Sequence, residues 1–268
     1  MRKGRDKDCA IGVFDSGLGG LTVVKELMRQ LPSEDIIYYG DTARVPYGTK
    51  SKESIIRFSI ENTKVLLKHK VKMVVVACNS SSSYALDTLR RNFRVPVVGV
   101  IHPGAKKAID LTKNKRVGVI ATSATVASHE YVRTIKGYDK GVKVFAKACP
   151  LFVPLAEEGW FRKPVTVDIA KEYLAPLRSK NIDVLILGCT HYPFLKGALK
   201  KAVGGKVELI DSAKEVASAV RALLTASENG KVSTRKPRHK FLISDRPQEF
   251  KRIAKNFLGR DIKHITKV

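Results

Sequence analysis

Short apolar runs alternate with longer amphipathic stretches along most of the chain. Ala10 to Phe14 reads as a first strand. Leu21, Val24, Leu27, Met28 and Leu31 then share one face of a helix over about 21–31. Pro32-Ser33 breaks it ahead of a second strand at Asp35 to Gly40. Ile55, Phe58, Asn62, Val65 and Leu66 recur near helical spacing and predict a helix over 51–70. The valine-rich run from Met73 reads as a strand buried on both faces. A helix from about Tyr84 to Phe93 and a strand over 96–100 follow, and His102-Pro103-Gly104 marks a break.

Past that break the order starts again. A helix over 104–112 leads to a strand from Arg116 to Ala121, and Thr122-Ser123-Ala124-Thr125 opens another helix. Val142 to Ala148 reads as a strand. The helix over about 165–179 holds Pro176, which should kink it or end it early. Val184 to Gly188 is a strand, followed by a helix over 194–202, a strand over 206–210 and a helix from about 213. A basic loop over 229–239, a strand over 240–243 and a helix over 247–257 finish the chain. Strands and helices alternating with short connections predict an α/β fold with parallel sheets covered on both faces. The expected arrangement is two similar doubly wound parallel-sheet lobes related by pseudo-twofold symmetry, with the active site between them. Residues 1–100 and 212–268 would form one lobe, and 101–211 the other.

Two of these strands end alike. Met73-Val74-Val75-Val76-Ala77 runs into Cys78-Asn79-Ser80, and Val184-Leu185-Ile186-Leu187-Gly188 runs into Cys189-Thr190-His191. Open α/β sheets bind ligands at the carboxyl ends of their strands. A helix start there favours a thiolate and lowers a cysteine's pKa. A lone buried cysteine is commonly a small core residue, which is the better reading of Cys9 and Cys149. Two cysteines at matching places in a repeated pattern point to chemistry, one from each lobe.

Composition narrows the classes. With 268 residues and 44% hydrophobic content the chain can bury a large core. The basic amino terminus is followed by too short an apolar run for a secretory signal, and no run approaches the roughly 18 apolar residues of a membrane span. A cytoplasmic protein is expected. The four cysteines include no Cys-x-x-Cys pair and no Cys/His cluster at metal spacing, so neither a disulfide framework nor a metal site is expected. The formal net charge is +25, with 12 Lys/Arg against 3 Asp/Glu over residues 231–268. A nucleic-acid partner is one explanation, but no aromatic-interleaved basic stripe supports it. A generally basic surface that attracts an anionic substrate is favoured.

Asp15-Ser16-Gly17-Leu18-Gly19-Gly20 lacks the spacing of a nucleotide loop and reads as a tight strand-to-helix turn, with Ser16 a candidate cap. Asp15 would face the sheet mouth near Cys78. His191, two residues from Cys189, is a plausible acid–base or thiol-polarising partner. Pro46-Tyr47-Gly48 alone is turn chemistry, and Glu157-Glu158 alone a solvated helix end.

Taken together, Phe14-Asp15-Ser16-Gly17-Leu18-Gly19-Gly20, Pro46-Tyr47-Gly48, Ala77-Cys78-Asn79-Ser80, Pro154-Leu155-Ala156-Glu157-Glu158-Gly159 and Gly188-Cys189-Thr190-His191-Tyr192-Pro193 resemble the glutamate racemase family, in order and spacing, from about Ala10 to the end. The resemblance implies a cofactor-independent racemase, a bacterial cytoplasmic homodimer that supplies D-glutamate for peptidoglycan. It implies that Cys78 takes the α-proton from D-glutamate and Cys189 from L-glutamate, with Asp15 assisting Cys78 and with His191 and Glu157 assisting Cys189. It further implies that Asp15, Ser16, Tyr47, Gly48, Asn79, Ser80 and Thr190 hold the amino acid, with Thr122 and Thr125 as weaker candidates. The family's usual Cys-Asn-Thr is Cys78-Asn79-Ser80 here, which keeps the hydroxyl and loses a methyl. The short tail before Ala10 leaves little room for the extension with which some members sense a cell-wall precursor, so no such activation is expected. Competing readings are an aspartate or broad-specificity racemase, a cysteine hydrolase built on Cys189 and His191, and a basic nucleic-acid-binding protein.

Overall fold

A computed structural model describes residues 8–227, 236–259, 261–262 and 264–268. The chain opens with β1 (Ile11–Asp15), α1 (Leu21–Gln30), β2 (Ile36–Gly40), α2 (Lys52–Leu67), β3 (Met73–Val76), α3 (Asn79–Tyr84), α4 (Leu86–Asn92) and β4 (Val97–Gly99). It continues with α5 (Ile101–Leu111), β5 (Arg116–Ala121), α6 (Ser123–Ala127), α7 (Glu130–Tyr138), β6 (Lys143–Ala148), α8 (Phe152–Glu157), α9 (Pro164–Arg178), β7 (Val184–Gly188), α10 (Lys196–Val203) and β8 (Glu208–Asp211). Then come α11 (Ser212–Ala226), β9 (His239–Ile243), α12 (Pro247–Leu258) and β10 (Ile265–Lys267).

The strands form two parallel sheets. One has six strands in the order β10-β9-β2-β1-β3-β4, the other four in the order β6-β5-β7-β8. Numbered from its own first strand, each contains the order 2-1-3-4, so the repeat read in the sequence is a repeat of topology. In each sheet the strand order reverses beside the first strand, and the third strand, β3 or β7, lies on one side of that point. Cys78 follows β3 and Cys189 follows β7.

Alternation along the strands explains the layering. Ile11 and Val13 of β1, Val117 and Val119 of β5, and Val184 and Ile186 of β7 all enter one apolar core, together with residues of α1, α5, α7, α11 and α12. The opposite faces feed separate cores. Phe14, Val74 and Val76 pack with Leu66 of α2, while Ile120, Leu185 and Leu187 pack with Leu174 of α9 and Leu199 of α10. The shared layer packs both cysteine-bearing strands, β3 through Met73 and Val75 and β7 through Val184 and Ile186. No helix among the described residues is long and apolar enough to cross a membrane.

Several elements differ from their sequence expectation. The helix after Cys78 begins at Asn79 instead of near Tyr84, and Ala85 divides it from α4. Four consecutive serines are weak helix formers, but residues 79–83 are all buried, and packing overrides propensity there. Pro103 lies inside α5, in its first turn, where a missing N–H removes no intrahelical bond. Pro176 does not end α9, which runs two residues further to Arg178. Gly20 occupies the cap position of α1 without a side-chain bond, so Ser16 is not its cap. The short strand β10 had no signal, since Thr266 and Lys267 are exposed. Most of the basic loop at 229–239 and the basic amino-terminal tail lie outside the described residues.

Candidate active site

Cys78 and Cys189 line one small cavity at the strand mouths, with Ser16, Tyr47, Gly48, Asn79, Ser80, Thr122, Thr190 and His191 around it. Its volume is about 20 Å³, roughly the space one water needs. Val45, Pro46 and Val153 complete the wall. Val45 and Val153 carried no signal in the sequence, because an apolar residue beside a turn or at a helix start looks like ordinary packing.

Glycines let the backbones close on one another. A Cβ at Gly19 would lie 2.2 Å from Thr190 Oγ1 and 2.6 Å from His191 Nδ1, so only glycine lets the β1–α1 turn reach the Cys189 side. A Cβ at Gly48 would lie 2.6 Å from Thr122 Cβ. The Thr22 hydroxyl donates to the Gly19 carbonyl at 2.8 Å and lies 3.3 Å from the Thr190 carbonyl.

On the Cys189 side, Cys189 Sγ lies 3.7 Å from His191 Nδ1, and His191 Nε2 lies 3.0 Å from Glu157 Oε1. Burial alone would push the imidazole pKa down. The hydrogen bonds to Cys189 and Glu157 outweigh it and raise the pKa to about 10. His191 therefore carries a proton at neutral pH and presents N–H groups to both partners. Glu157, the last residue of α8, is not a solvated helix end. It stands behind His191 and also borders a separate cavity of about 330 Å³ lined by Gly17, Leu18 and Phe250.

The Cys78 side is built differently. Burial, and then the nearby charge of Asp15, push the Cys78 thiol up to about 12, against hydrogen bonds from Ser81 and Ser16. The helix start does not lower this cysteine's pKa, contrary to the sequence expectation, because desolvation outweighs a few N–H dipoles. Asp15 is fully buried and its pKa is raised by that burial, with the positive charge of His191 and backbone N–H groups opposing. Gly17 N donates to Asp15 Oδ2 at 3.1 Å, while Oδ1 has no hydrogen-bond partner. Ser16 spends its hydroxyl on Cys78.

Hydroxyls join the two sheets beside the thiols. Ser80 Oγ lies 3.0 Å from Thr122 Oγ1 and 3.3 Å from Thr125 Oγ1, and the two threonine hydroxyls are 3.1 Å apart. Asn79 Oδ1 accepts a 2.8 Å bond from Tyr131, leaving Nδ2 buried and without a partner. The Tyr47 hydroxyl turns outward, donating to Asp41 and accepting from Asn62 Nδ2 at 3.0 Å, so only its ring and backbone serve the cavity. Cys149 is buried in the second sheet's own core, and Cys9 is part-exposed at the start of the described chain.

Residues 11–220 match the family model described as Asp/Glu/Hydantoin racemase. A glutamate racemase of Geobacter metallireducens is 47% identical over 97% of this chain and 96% of its own length. The crystal structure of a glutamate racemase isoform from Bacillus anthracis superposes with a TM-score of 0.95, at 39% identity and covering 98% of each chain. That of Francisella tularensis glutamate racemase, in complex with D-glutamate, gives 0.92, also at 39% identity and 98% of each chain. The chain belongs to the Asp/Glu/hydantoin racemase family, among the glutamate racemases.

Proposed function

We propose that the chain interconverts L- and D-glutamate by a two-thiol mechanism, supplying D-glutamate for peptidoglycan from the cytoplasm, as a homodimer. The observation that carries this reading is the pair of thiols at equivalent positions of a repeated topology, both lining one cavity. The protonated imidazole beside Cys189 and the protonated thiol of Cys78 bias the resting site. In the direction from L- to D-glutamate, Cys189 acts as the base and Cys78 as the acid.

With L-glutamate bound, the Cys189 thiolate removes the α-hydrogen as a proton, and the C–H electron pair passes into the carbanion. The Cys78 S–H bond then delivers its proton to the opposite face. The site ends with Cys189 as thiol and Cys78 as thiolate, and D-glutamate begins from that state. The imidazolium of His191, held by Glu157, stabilises the thiolate at Cys189, and Asp15 assists on the other side. Asn79, Ser80, Thr122 and Thr190 present donors to the substrate, and exclusion of water on closure strengthens each of these interactions.

A glutamate molecule has ten non-hydrogen atoms, far more than a cavity of about 20 Å³ admits. We assign residues 1–100 and 212–268 to one lobe and 101–211 to the other, and infer that they part along the Gly48–Thr122 and Ser80–Thr122 contacts to admit substrate.

The test is L-glutamate in deuterated water without added cofactor, followed by circular dichroism and by deuterium at the α-carbon. Loss of optical activity with deuterium uptake is expected, and both Cys78→Ala and Cys189→Ala abolish it. Activity surviving in Cys78→Ala would remove the two-thiol mechanism. Exchange with aspartate but not glutamate would move the substrate.

A further inference from the structure

Tyr131, on α7, touches the ends of both cysteine-bearing strands. Its hydroxyl donates to Asn79 Oδ1 at 2.8 Å, next to Cys78. Its ring edge backs onto the residue before Cys189, since a Cβ at Gly188 would lie 3.1 Å from Tyr131 Cε2. The side chain is 3% exposed and belongs to the apolar layer shared by the two sheets.

Proton accounting fixes what this contact does. Ser212 Oγ lies 3.3 Å from the Tyr131 hydroxyl and donates its one proton to the Leu187 carbonyl at 3.0 Å. The single phenolic proton of Tyr131 then goes to its nearer acceptor, Asn79 Oδ1. An amide that accepts on its oxygen turns its NH₂ group the other way. Asn79 is 3% exposed, lines the cavity, and its Nδ2 has no partner. A buried donor left unsatisfied costs about 1–3 kcal/mol unless a ligand meets it.

We propose that Tyr131 is a positioning residue: its hydroxyl locks the Asn79 amide with the NH₂ presented to an anionic oxygen of the substrate. The inference rests on the function proposed above for the ligand's identity. Without the phenolic proton the amide is free to flip, and a carboxylate would then meet Oδ1, which repels it. Tyr131 acts through Asn79, and its ring keeps the two strand ends packed independently of the hydroxyl.

Tyr131→Phe keeps the ring and removes only the hydroxyl. It is expected to raise KM for both enantiomers about tenfold, equivalent to about 1.4 kcal/mol, while kcat changes less than about threefold, the mark of lost ground-state binding. Asn79→Ala is expected to raise KM at least as much, and adding Tyr131→Phe to it should cost nothing further. An unchanged KM in Tyr131→Phe, or the same tenfold loss in the Asn79→Ala background, would overturn the inference. Calorimetric binding of D-glutamate reads the same effect without turnover. A chain that binds glutamate in a Tyr131-dependent way but does not racemise it defeats the proposed reaction and keeps this inference. Racemisation with KM and affinity unmoved does the reverse.

Discussion

Replacing Glu157 by glutamine isolates the charge that keeps His191 protonated. The side chain keeps its length and its acceptor, so the 3.0 Å contact to Nε2 survives as a hydrogen bond to an uncharged oxygen. An opposite charge within about 4–6 Å shifts a pKa by about 1–3 units, and Glu157, with its side chain 29% exposed, acts at the low end. The substitution therefore removes roughly 1.4 kcal/mol of preference for the imidazolium, or about one pH unit. The His191 pKa, about 10 in the native chain, should fall by that amount. Histidine-labelled protein titrated by NMR reads it directly, with His191→Asn assigning the signal among the six histidines. If the imidazolium supports Cys189 as base, as proposed, the alkaline limb of kcat/KM for L-glutamate should move inward by the same amount. A native midpoint near the ordinary histidine value of about 6.5, or one unmoved by Glu157→Gln, would refute the electrostatic account of the Cys189 side.

Stability carries the same signature. The pKa of His191 is raised on folding, so its contribution is complete below about 6.5 and lost as the pH rises through about 10. Urea unfolding should weaken across that window, and more gently in His191→Gln. Gly19→Ala would place a methyl 2.2 Å from Thr190 Oγ1. It should lower racemisation about a hundredfold with the far-ultraviolet spectrum unchanged; wild-type activity would mean that the turn yields. Lys72 and Glu34 form a buried ion pair at 2.6 Å. Lys72→Met alone should cost about 3–5 kcal/mol in urea unfolding, and adding Glu34→Leu should restore most of it. Additive losses would contradict this.

Periodicity made the framework legible, because buried parallel strands are continuous apolar runs and their order repeats. It also placed both cysteines, since a strand end is local information. What escaped was set by packing between segments distant in the chain. The start of α3 at Asn79 depends on burial of its serines, Pro103 is accommodated because it falls in the first turn of its helix, and Pro176 sits inside α9 against its local preference. Tyr131 follows a stretch with no distinguishing pattern and gains its place only when α7 packs between the two sheets. The outward turn of the Tyr47 hydroxyl depends on Asp41 and Asn62, neither of which the local motif contains. The rise of the Cys78 pKa was hidden for the same reason: a helix start is visible in sequence, but the desolvation that outweighs it is not.

The two thiols of the proposed site have unlike neighbours, a buried carboxylate near Cys78 and a protonated imidazole beside Cys189. Enantiomers have equal free energies in water, so the overall equilibrium constant of the reaction is one. The Haldane relation then requires kcat/KM to be identical for L- and D-glutamate, however lopsided the site. Unequal support can only shift kcat and KM together, making one antipode bound tighter and turned over more slowly. Every substitution on either side, from Asp15 to Glu157, is held to the same rule: it moves both directions of flux by one common factor.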